Sequence, residues 1–341
     1  MHSVIFKNDA VGDLVHSIDA INNIVSSSEK VTIFLSKISQ NFIFLLKSKK
    51  VEVKILNYNL SLNERLKIIF FLLNNNVNKA YILSPKNFYY FLPFLFRKIK
   101  FFAICINNIN NYKRPSKFLR KYLYKYEIND RGKAFKRESS RVIQKRLTSE
   151  GHKECKFNIN LKKSEILQNF LPNNYIFFHF KKKIFNELNW KFKELELLFK
   201  EFKKYCNNIV VTKDIEFDEN NNIFKKNFNS YDYKSKKFID NNNNILFFDN
   251  VVGEDLFNII NYSNKVIAFH GMMTNLGFLL NKQVLDLYHC KINSWEDYRR
   301  YRNSFYEFKP KYKDYDFIIP KPDINKTIKK IKFSLEKCQE I

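Results

Sequence analysis

Glycine and proline are scarce in this chain, which has 6 of the former and 7 of the latter among 341 residues. Phosphate-binding loops of the G-x-G-x-x-G and Walker types need closely spaced glycines, and neither pattern occurs. The G-x-S-x-G turn of serine hydrolases and the H-E-x-x-H motif of zinc peptidases are missing as well. The sequence therefore gives no support to the enzyme classes that these motifs mark.

Cysteines and metal-ligand spacings are equally sparse. The five cysteines are odd in number and contain no C-x-x-C pair, which fits a reducing compartment better than a disulfide framework. They are Cys105, Cys155, Cys206, Cys290 and Cys338. Because the histidines form no ligand spacing either, we expect no bound metal and no other cofactor.

A long hydrophobic run is also missing. The best candidate, IIFFLL at 68–73, is far shorter than the roughly 20 residues that a membrane-spanning helix needs. The first apolar stretch is interrupted by Lys7, Asn8 and Asp9, which does not match a signal peptide. These features predict a cytoplasmic protein.

Acidic residues are outnumbered, since 60 Lys and Arg stand against 34 Asp and Glu and give a net charge of +26. Such an excess is typical of proteins that bind nucleic acid or anionic membranes. The lysines are scattered along the whole chain without a nucleic-acid-binding motif, so nucleic acid is not the expected partner. A protein that binds nucleic acid or another polyanion stays open as an alternative.

The segment after residue 107 is particularly basic. Its cations Arg114, Lys117, Arg120 and Lys121 belong either to an ordinary solvated surface or to a contact with anionic lipid or with a phosphorylated or carboxylated acceptor. A lipid contact would place the protein on the cytoplasmic face of the inner membrane, as a peripheral protein.

Short apolar runs alternate with amphipathic segments in two series. The first has predicted strands at 4–6, 31–36, 51–56, 79–84 and 101–106, with predicted helices at 14–24, 38–47, 61–73 and 87–97. The second has strands at 174–180, 208–213, 245–249, 265–269 and 283–288, with helices at 188–205, 254–262 and 273–280. This alternation predicts α/β domains with doubly wound parallel sheets.

Two segments break the alternation. Residues 107–173 are rich in charge and are expected to form helices and loops, and residues 218–244 are expected to form a polar, Asn-rich insertion. We therefore predict one domain over 1–160 and a second over 161–322. A last helix within 323–341 is predicted to pack across the domain junction.

Gly12 and Asp13 stand between the first strand and the first helix. Such a turn lies at the carboxyl end of a parallel sheet, where α/β proteins bind their ligands. Asp13 is either a helix cap or a catalytic group, and spacing alone does not decide between the two.

His270 and Gly271 hold the same place in the second series, directly before a helix that begins near Thr274 and Asn275. The free amides at a helix start can bind a diphosphate. The alternative is one more ordinary strand-loop-helix unit.

Two strings carry a resemblance to known families. NDAVGDLVHSIDAI, residues 8–21, resembles the N-terminal motif of the ADP-heptose:lipopolysaccharide heptosyltransferases, glycosyltransferase family nine. HGMMTNLG, residues 270–277, is similar to that family's D-S-G-P-x-H-L-A motif, with His270 in place of the Asp and Asn275 in place of the His. It also resembles the H-G-A-x-x-T-N element of family sixty-one.

Both resemblances imply a GT-B fold, in which two Rossmann-like domains face each other across a cleft, and a nucleotide-sugar donor. The resemblance to family nine makes Asp13 the catalytic base of an inverting, metal-independent enzyme. The enzyme would move heptose or a related sugar to a cell-surface glycan or glycolipid such as lipopolysaccharide core. A non-catalytic binding protein of the same fold is the alternative.

The implied donor site lies in the second domain. Its candidate residues are Lys181 and Lys183, which follow the strand at 174–180, with Glu254, His270, Gly271, Thr274 and Asn275. Glu254 is equally well explained as an acid in the first turn of a helix. The implied acceptor site comprises Gly12, Arg114, Lys117 and Arg120.

Overall fold

The computed structural model describes residues 1–107, 113–130, 138–149, 161–214, 223–289 and 315–337. These residues form two compact units, one that includes the described residues up to 149 and one that includes those from 161 onward. The predicted boundary at residue 160 falls in the gap between them, outside the described residues.

The first unit is built on a seven-stranded sheet in the order β3-β2-β1-β4-β5-β6, with β7 also paired to β5. Its strands are β1 (His2–Lys7), β2 (Lys30–Ser36), β3 (Val51–Leu56), β4 (Lys79–Ile82), β5 (Lys100–Asn107), β6 (Lys113–Arg114) and β7 (Lys125–Asp130). All pairings are parallel except that of β6 with β5. Its helices are α1 (Val11–Ser26), a 3₁₀ helix (Lys37–Leu46), α2 (Leu62–Asn74), α3 (Asn87–Leu95), α4 (Lys117–Arg120) and α5 (Ser140–Thr148).

Strand β1 lies at the centre of this sheet and is buried on both sides. Val4 and Phe6 pack into a cluster with residues of α2 and α3, whereas Ile5, on the opposite side, is equally inaccessible. Alternating side chains of a strand point to opposite faces, so a central parallel strand must be apolar on both. This explains why the apolar run of β1 could be recognised in the sequence.

The prediction that the first series ends near residue 106 was wrong. Strand β7 adds to the sheet beside β5, in parallel register from Phe102 opposite Lys125 to Asn107 opposite Asp130. The strand is polar, and Tyr126 and Ile128 remain 42% and 37% exposed. A half-exposed strand at the side of a sheet needs no apolar run, which is why its sequence resembled a loop.

The second unit contains an eight-stranded sheet in the order β11-β10-β12-β9-β8-β13-β14-β15. Its strands are β8 (Ile176–Phe180), β9 (Ile209–Lys213), β10 (Asn229–Asp232), β11 (Lys237–Ile239), β12 (Ile245–Asp249), β13 (Lys265–Phe269), β14 (Gln283–Leu287) and β15 (Tyr315–Ile318). Among the described strands of this unit, β11 alone pairs in antiparallel fashion. The helices are α6 (Glu165–Phe170), α7 (Lys182–Glu187), α8 (Phe192–Phe202), α9 (Ile223–Asn227), α10 (Gly253–Tyr262), α11 (Met272–Leu279) and α12 (Ile324–Lys337).

Two predictions for this unit need correction. The helix predicted over 188–205 is shorter in the structure, where it corresponds to α8. A separate helix, α7, precedes it, and Asn189 between the two adopts a left-handed conformation with φ of 55°. The predicted polar insertion contains α9, β10 and β11, because Phe224, Phe228 and Tyr231 are buried. Burial of these three aromatic side chains thus stabilises the folded structure of a segment whose composition is mostly Asn and Lys.

Helix α12 packs into the second unit. Ile324, Ile331 and Leu335 belong to the core cluster that also contains residues of α8 and β15. Packing of this helix across the domain junction stays a prediction. Within the described residues, no helix combines the length and the apolar character that crossing a bilayer requires.

Candidate functional site

The chain reverses its direction across the second sheet between β8 and β13. From β8 it proceeds to β9 and β12 on one side, and it then returns to β13 on the other side. The carboxyl ends of two strands at such a switch point leave a crevice that binds ligands in open α/β sheets. Lys181 follows β8 and His270 follows β13, and the Lys181 Nζ donates a 2.7 Å hydrogen bond to the His270 carbonyl oxygen.

Gly271 shapes this crevice through its missing side chain. Its backbone has φ of 152°, a conformation that residues with a Cβ rarely adopt, and a Cβ at this position would lie 2.5 Å from the Lys181 Nζ. The Thr274 hydroxyl accepts from the Gly271 amide at 3.2 Å and donates to the Gly271 carbonyl at 2.8 Å. Glycine therefore lets the lysine reach the start of α11, and Thr274 fixes that start.

Burial lowers the pKa of Lys181, while the charges of Asp214 and Asp286 act in the opposite direction. Burial destabilises the charged form of a lysine, and a nearby anion stabilises that form. The site therefore combines a half-buried cation with the positive end of α11. Both features suit a phosphate or diphosphate group.

His270 is fixed by a carboxylate within the sheet. Its Nδ1 lies 2.7 Å from Oδ2 of Asp286, which is fully buried in β14, and its ring centroid lies 4.3 Å from that of Tyr288. Because a carboxylate accepts hydrogen bonds, Nδ1 of His270 is the protonated nitrogen. The ring is thereby held in one orientation beside the crevice.

A buried histidine, His179, lies in β8, two residues before Lys181. In His179, Nδ1 lies 2.8 Å from the Thr212 hydroxyl and Nε2 lies 3.1 Å from Oδ1 of Asp214. Burial lowers the pKa of this histidine. Burial acts to raise the pKa of Asp214, but the hydrogen bond from His179 and the charges of His179 and Lys181 lower it. Asp214 is therefore charged, and its negative charge stabilises the charged form of Lys181.

The structure separates the remaining predicted donor residues into two groups. Asn275 lies in the first turn of α11 near Gly271, where its backbone N–H donates to the Gly271 carbonyl at 3.1 Å. Lys183, on α7, and Glu254, in the first turn of α10, are both exposed.

Asp13 lies in the first unit, in the first turn of α1. The helix begins at Val11 and has Ala10 as its N-cap, so Asp13 is the third residue of the helix and is not the cap that the alternative hypothesis required. Gly12 precedes it within the same turn. An acid at this position still gains from the helix dipole.

The residues just before α1 form a polar cluster that the sequence did not predict. The Lys7 Nζ lies 2.8 Å from Oδ2 of Asp9 and both are buried, while the Tyr89 hydroxyl donates to Oδ1 of Asn8 at 2.6 Å. The Lys86 Nζ, after β4, donates to the Asn8 carbonyl at 2.7 Å. The available signal was Lys7 at the end of a buried strand, followed directly by two more polar residues.

The predicted acceptor residues Arg114 and Arg120 lie where β4 and β5 end. Arg114 Nη1 donates to the Pro85 carbonyl at 3.4 Å, and Arg120 Nη2 donates to Oδ1 of Asn107 at 3.0 Å. Lys117 is exposed on α4. The two arginines therefore contact the loops at the carboxyl edge of the first sheet. In the part of the chain that the structure describes, no three His, Cys, Asp or Glu side chains are grouped to hold a metal ion.

Replacement of Gly271 by alanine tests the crevice. The unfavourable backbone conformation is expected to cost about 1–3 kcal/mol of unfolding free energy. The new methyl group displaces the Lys181 Nζ, so affinity for a diphosphate-containing ligand is expected to fall about tenfold or more. Denaturant unfolding and calorimetric titration measure the two effects.

The double variant Lys181→Ala/Gly271→Ala is the control. It removes the steric conflict and keeps the backbone strain. Its free energy of unfolding should therefore be lowered as in Gly271→Ala, whereas its affinity for the ligand should equal that of Lys181→Ala alone. Unchanged affinity in the single variant would contradict this description of the crevice.

Solved structures of the same fold cover nearly the whole chain. ADP-heptose lipopolysaccharide heptosyltransferase II of E. coli matches over 99% of this chain and 100% of its own, with a TM-score of 0.61 at 11% identity. The E. coli heptosyltransferase WaaC with ADP-2-deoxy-2-fluoro heptose matches over 99% of each chain, with a TM-score of 0.59 at 11% identity. UDP-GlcNAc 2-epimerase of Methanocaldococcus jannaschii matches over 98% of this chain and 93% of its own, with a TM-score of 0.57 at 12% identity.

These likenesses confirm the predicted two-domain GT-B fold and its resemblance to heptosyltransferases. The epimerase has the same fold, so the fold serves more than one kind of reaction. No protein-family profile matches the sequence, and no curated protein matches it.

Proposed function

We propose that this chain is an inverting glycosyltransferase that moves a sugar from a nucleoside-diphosphate donor to a hydroxyl group of a glycan or glycolipid acceptor. The observation that carries the proposal is the contact of Lys181 with the His270-Gly271 turn, at the switch point of the second sheet. A GT-B structure solved with an ADP-sugar analogue supports a donor of this class.

The second unit binds the donor in this proposal. The diphosphate lies against the start of α11, where the lysine charge and the helix dipole both favour it. His270, oriented by Asp286 through Nδ1, has Nε2 as its remaining hydrogen-bonding atom at the same place. Thr274 and Asn275 belong to the first helical turn and keep its geometry.

The transfer step is a displacement at the anomeric carbon. The acceptor oxygen forms a bond to that carbon from the face opposite the leaving group, and its proton passes to the Asp13 carboxylate. The bond from the carbon to the diphosphate oxygen breaks, and its electron pair stays on the diphosphate. Lys181 stabilises that charge, so no metal ion is required for the step.

The acceptor is proposed to bind to the first unit. Gly12 permits close approach to the start of α1, and Arg114, Lys117 and Arg120 offer cations to a phosphorylated or carboxylated glycan such as lipopolysaccharide core. Heptose is the proposed sugar, on the strength of the resemblance to heptosyltransferases. Transfer at the cytoplasmic face of the inner membrane would agree with such an acceptor.

A panel of nucleotide sugars tests the proposal. A true donor at roughly 100 times its dissociation constant should add about 2.7 kcal/mol of unfolding free energy, which a thermal shift detects. That donor, supplied with acceptor glycan in the presence of a chelator, should give a glycoside of inverted configuration. Because an epimerase has the same fold, products are also analysed without acceptor. Epimerised nucleotide sugar, or binding without any transfer to a broad acceptor panel, would overturn the proposal.

A further inference from the structure

Helix α2 is apolar on two sides. Ile68 and Leu72 are buried against the first sheet, as in an ordinary amphipathic helix. The opposite side should then be polar. It instead carries an outer stripe of four exposed apolar residues at helical spacing: Leu62, Leu66, Phe70 and Leu73, which are 70%, 42%, 58% and 63% exposed.

The neighbouring helices extend this apolar surface. Residues of α2, α3 and α4 contribute to the same core cluster, so these helices cover one face of the first sheet. Arg65 of α2 lies over the ring of Phe88 of α3, with 5.8 Å between the guanidinium carbon and the ring centroid. The side of α3 and α4 away from the core exposes Phe91, Leu95 and Phe118, the last at 58%. We call this surface the α2–α4 face.

The same segment has an extreme charge. Between Glu64 and Glu127 the sequence contains thirteen basic residues and no acidic one. Those exposed on the three helices or directly beside them are Arg65, Lys67, Arg97, Lys98, Lys117 and Lys121. Exposed apolar side chains among cations are the composition of a helix that lies in the headgroup region of an anionic membrane.

We propose that the α2–α4 face binds the surface of a bilayer that contains anionic lipid. The outer stripe enters the boundary between headgroups and acyl chains, while the flanking cations pair with lipid phosphates. This is a peripheral contact, because the inner side of α2 remains packed on the sheet. The proposal concerns a surface of the first unit and does not depend on the transfer reaction.

Charge favours a membrane over the other occupants of such a face. A second copy of this chain would bring two sets of cations together without a compensating acid, which opposes association. A single-stranded nucleic acid would use stacking on aromatic rings, but three members of the outer stripe are leucines. Of these three occupants, a lipid surface alone uses the leucines and the cations together.

Co-sedimentation with vesicles tests the proposal on the full chain. Vesicles of phosphatidylglycerol and phosphatidylethanolamine should bind the protein, whereas vesicles of phosphatidylcholine should bind it at least tenfold more weakly. The variant Leu66→Gln/Phe70→Gln should reduce partitioning about tenfold or more. The variant Lys67→Gln/Arg97→Gln/Lys98→Gln should reduce it by about fivefold per cation, about 100-fold in all.

Matched controls come from exposed residues of the second unit. Phe333→Gln removes an apolar side chain that is 71% exposed, and Lys193→Gln/Lys200→Gln/Lys329→Gln removes three exposed charges. Each control should change partitioning by less than about twofold to threefold. Equal losses in the controls would mean that net charge alone attracts the protein, and the proposal would fail.

Insertion is measured separately with a Phe70→Trp variant. Its added fluorescence should shift to shorter wavelength on anionic vesicles and be quenched by brominated acyl chains, whereas that of Phe333→Trp should not. Sedimentation velocity, with and without RNA, tests whether a second copy of the chain or a nucleic acid binds the α2–α4 face instead. A dimer that the Leu66→Gln/Phe70→Gln change dissociates, or RNA binding that it abolishes, together with no vesicle binding, would overturn the proposal.

Discussion

Replacement of Lys181 by methionine is expected to weaken binding of the nucleotide-sugar donor about 100-fold. The change removes the only feature of the side chain that a diphosphate uses, its charge, and keeps most of its volume. A hydrogen bond to a charged group contributes about 1.5–3 kcal/mol, which corresponds to roughly 10-fold to 150-fold in affinity. Calorimetric titration of donor into the variant measures the loss.

Lys183 supplies the control, because Lys183→Met makes the same change two residues away on an exposed part of α7. Its donor affinity should stay within about twofold of the parent, as expected for an exposed charge in salt. Equal losses in the two variants would show that the donor responds to overall charge. An unaffected Lys181→Met variant would remove the donor site from this crevice.

The pH dependence of donor affinity gives a second readout. The diphosphate binds the charged form of Lys181, and burial lowers the pKa of this lysine. Affinity should therefore decline as pH rises toward that lowered pKa, before an ordinary lysine near 10.4 begins to lose its proton. The decline should be missing in Lys181→Met. Asp214 and Asp286, whose charges act to raise the lysine pKa, and the neighbouring His179 and His270 are the other titratable groups in this region.

The parallel strands were predictable because burial on both faces leaves an unmistakable apolar run. Strands such as β8 and β13 have at most one half-buried residue, so the sequence marks them without help from their neighbours. The half-exposed β7 and the short β10 and β11 give no such run. Their pairing depends on the strand beside them, which local composition does not record.

The sequence predicted where the candidate residues lie relative to the strands, but it did not predict all of the residues that contact them. A residue that follows a parallel strand must lie at the ligand-binding edge, which identified Asp13, Lys181 and His270. The sequence could not separate Lys181 from Lys183, because the difference arises from the path of α7 after β8. Asp286 was missed, although an acid inside the apolar string QVLDLY must have a buried partner. That partner, His270, follows the neighbouring strand.

Substitution of Asp13 by asparagine is expected to reduce turnover about 100-fold or more, the scale of a lost general base. Asparagine has nearly the same shape, so the fold should tolerate it. The unfolding free energy should fall by no more than about 0.3–1 kcal/mol, the contribution of an acid in the first turn of a helix. Donor affinity should not change, because the proposed donor residues lie in the other unit.

A matched change on the same helix separates catalysis from helix stability. Asp19 of α1 pairs with Arg141 of α5 at 2.6 Å, so Asp19→Asn also removes a carboxylate from α1 and breaks an ion pair. This variant should lose as much stability as Asp13→Asn or more, yet transfer sugar at nearly the parental rate once both substrates are saturating. If Asp13 serves only the helix dipole, the two variants should behave alike, with modest losses of stability and full turnover. Parental turnover by Asp13→Asn under those conditions would therefore reject Asp13 as the base and leave the donor site in the second unit unaffected.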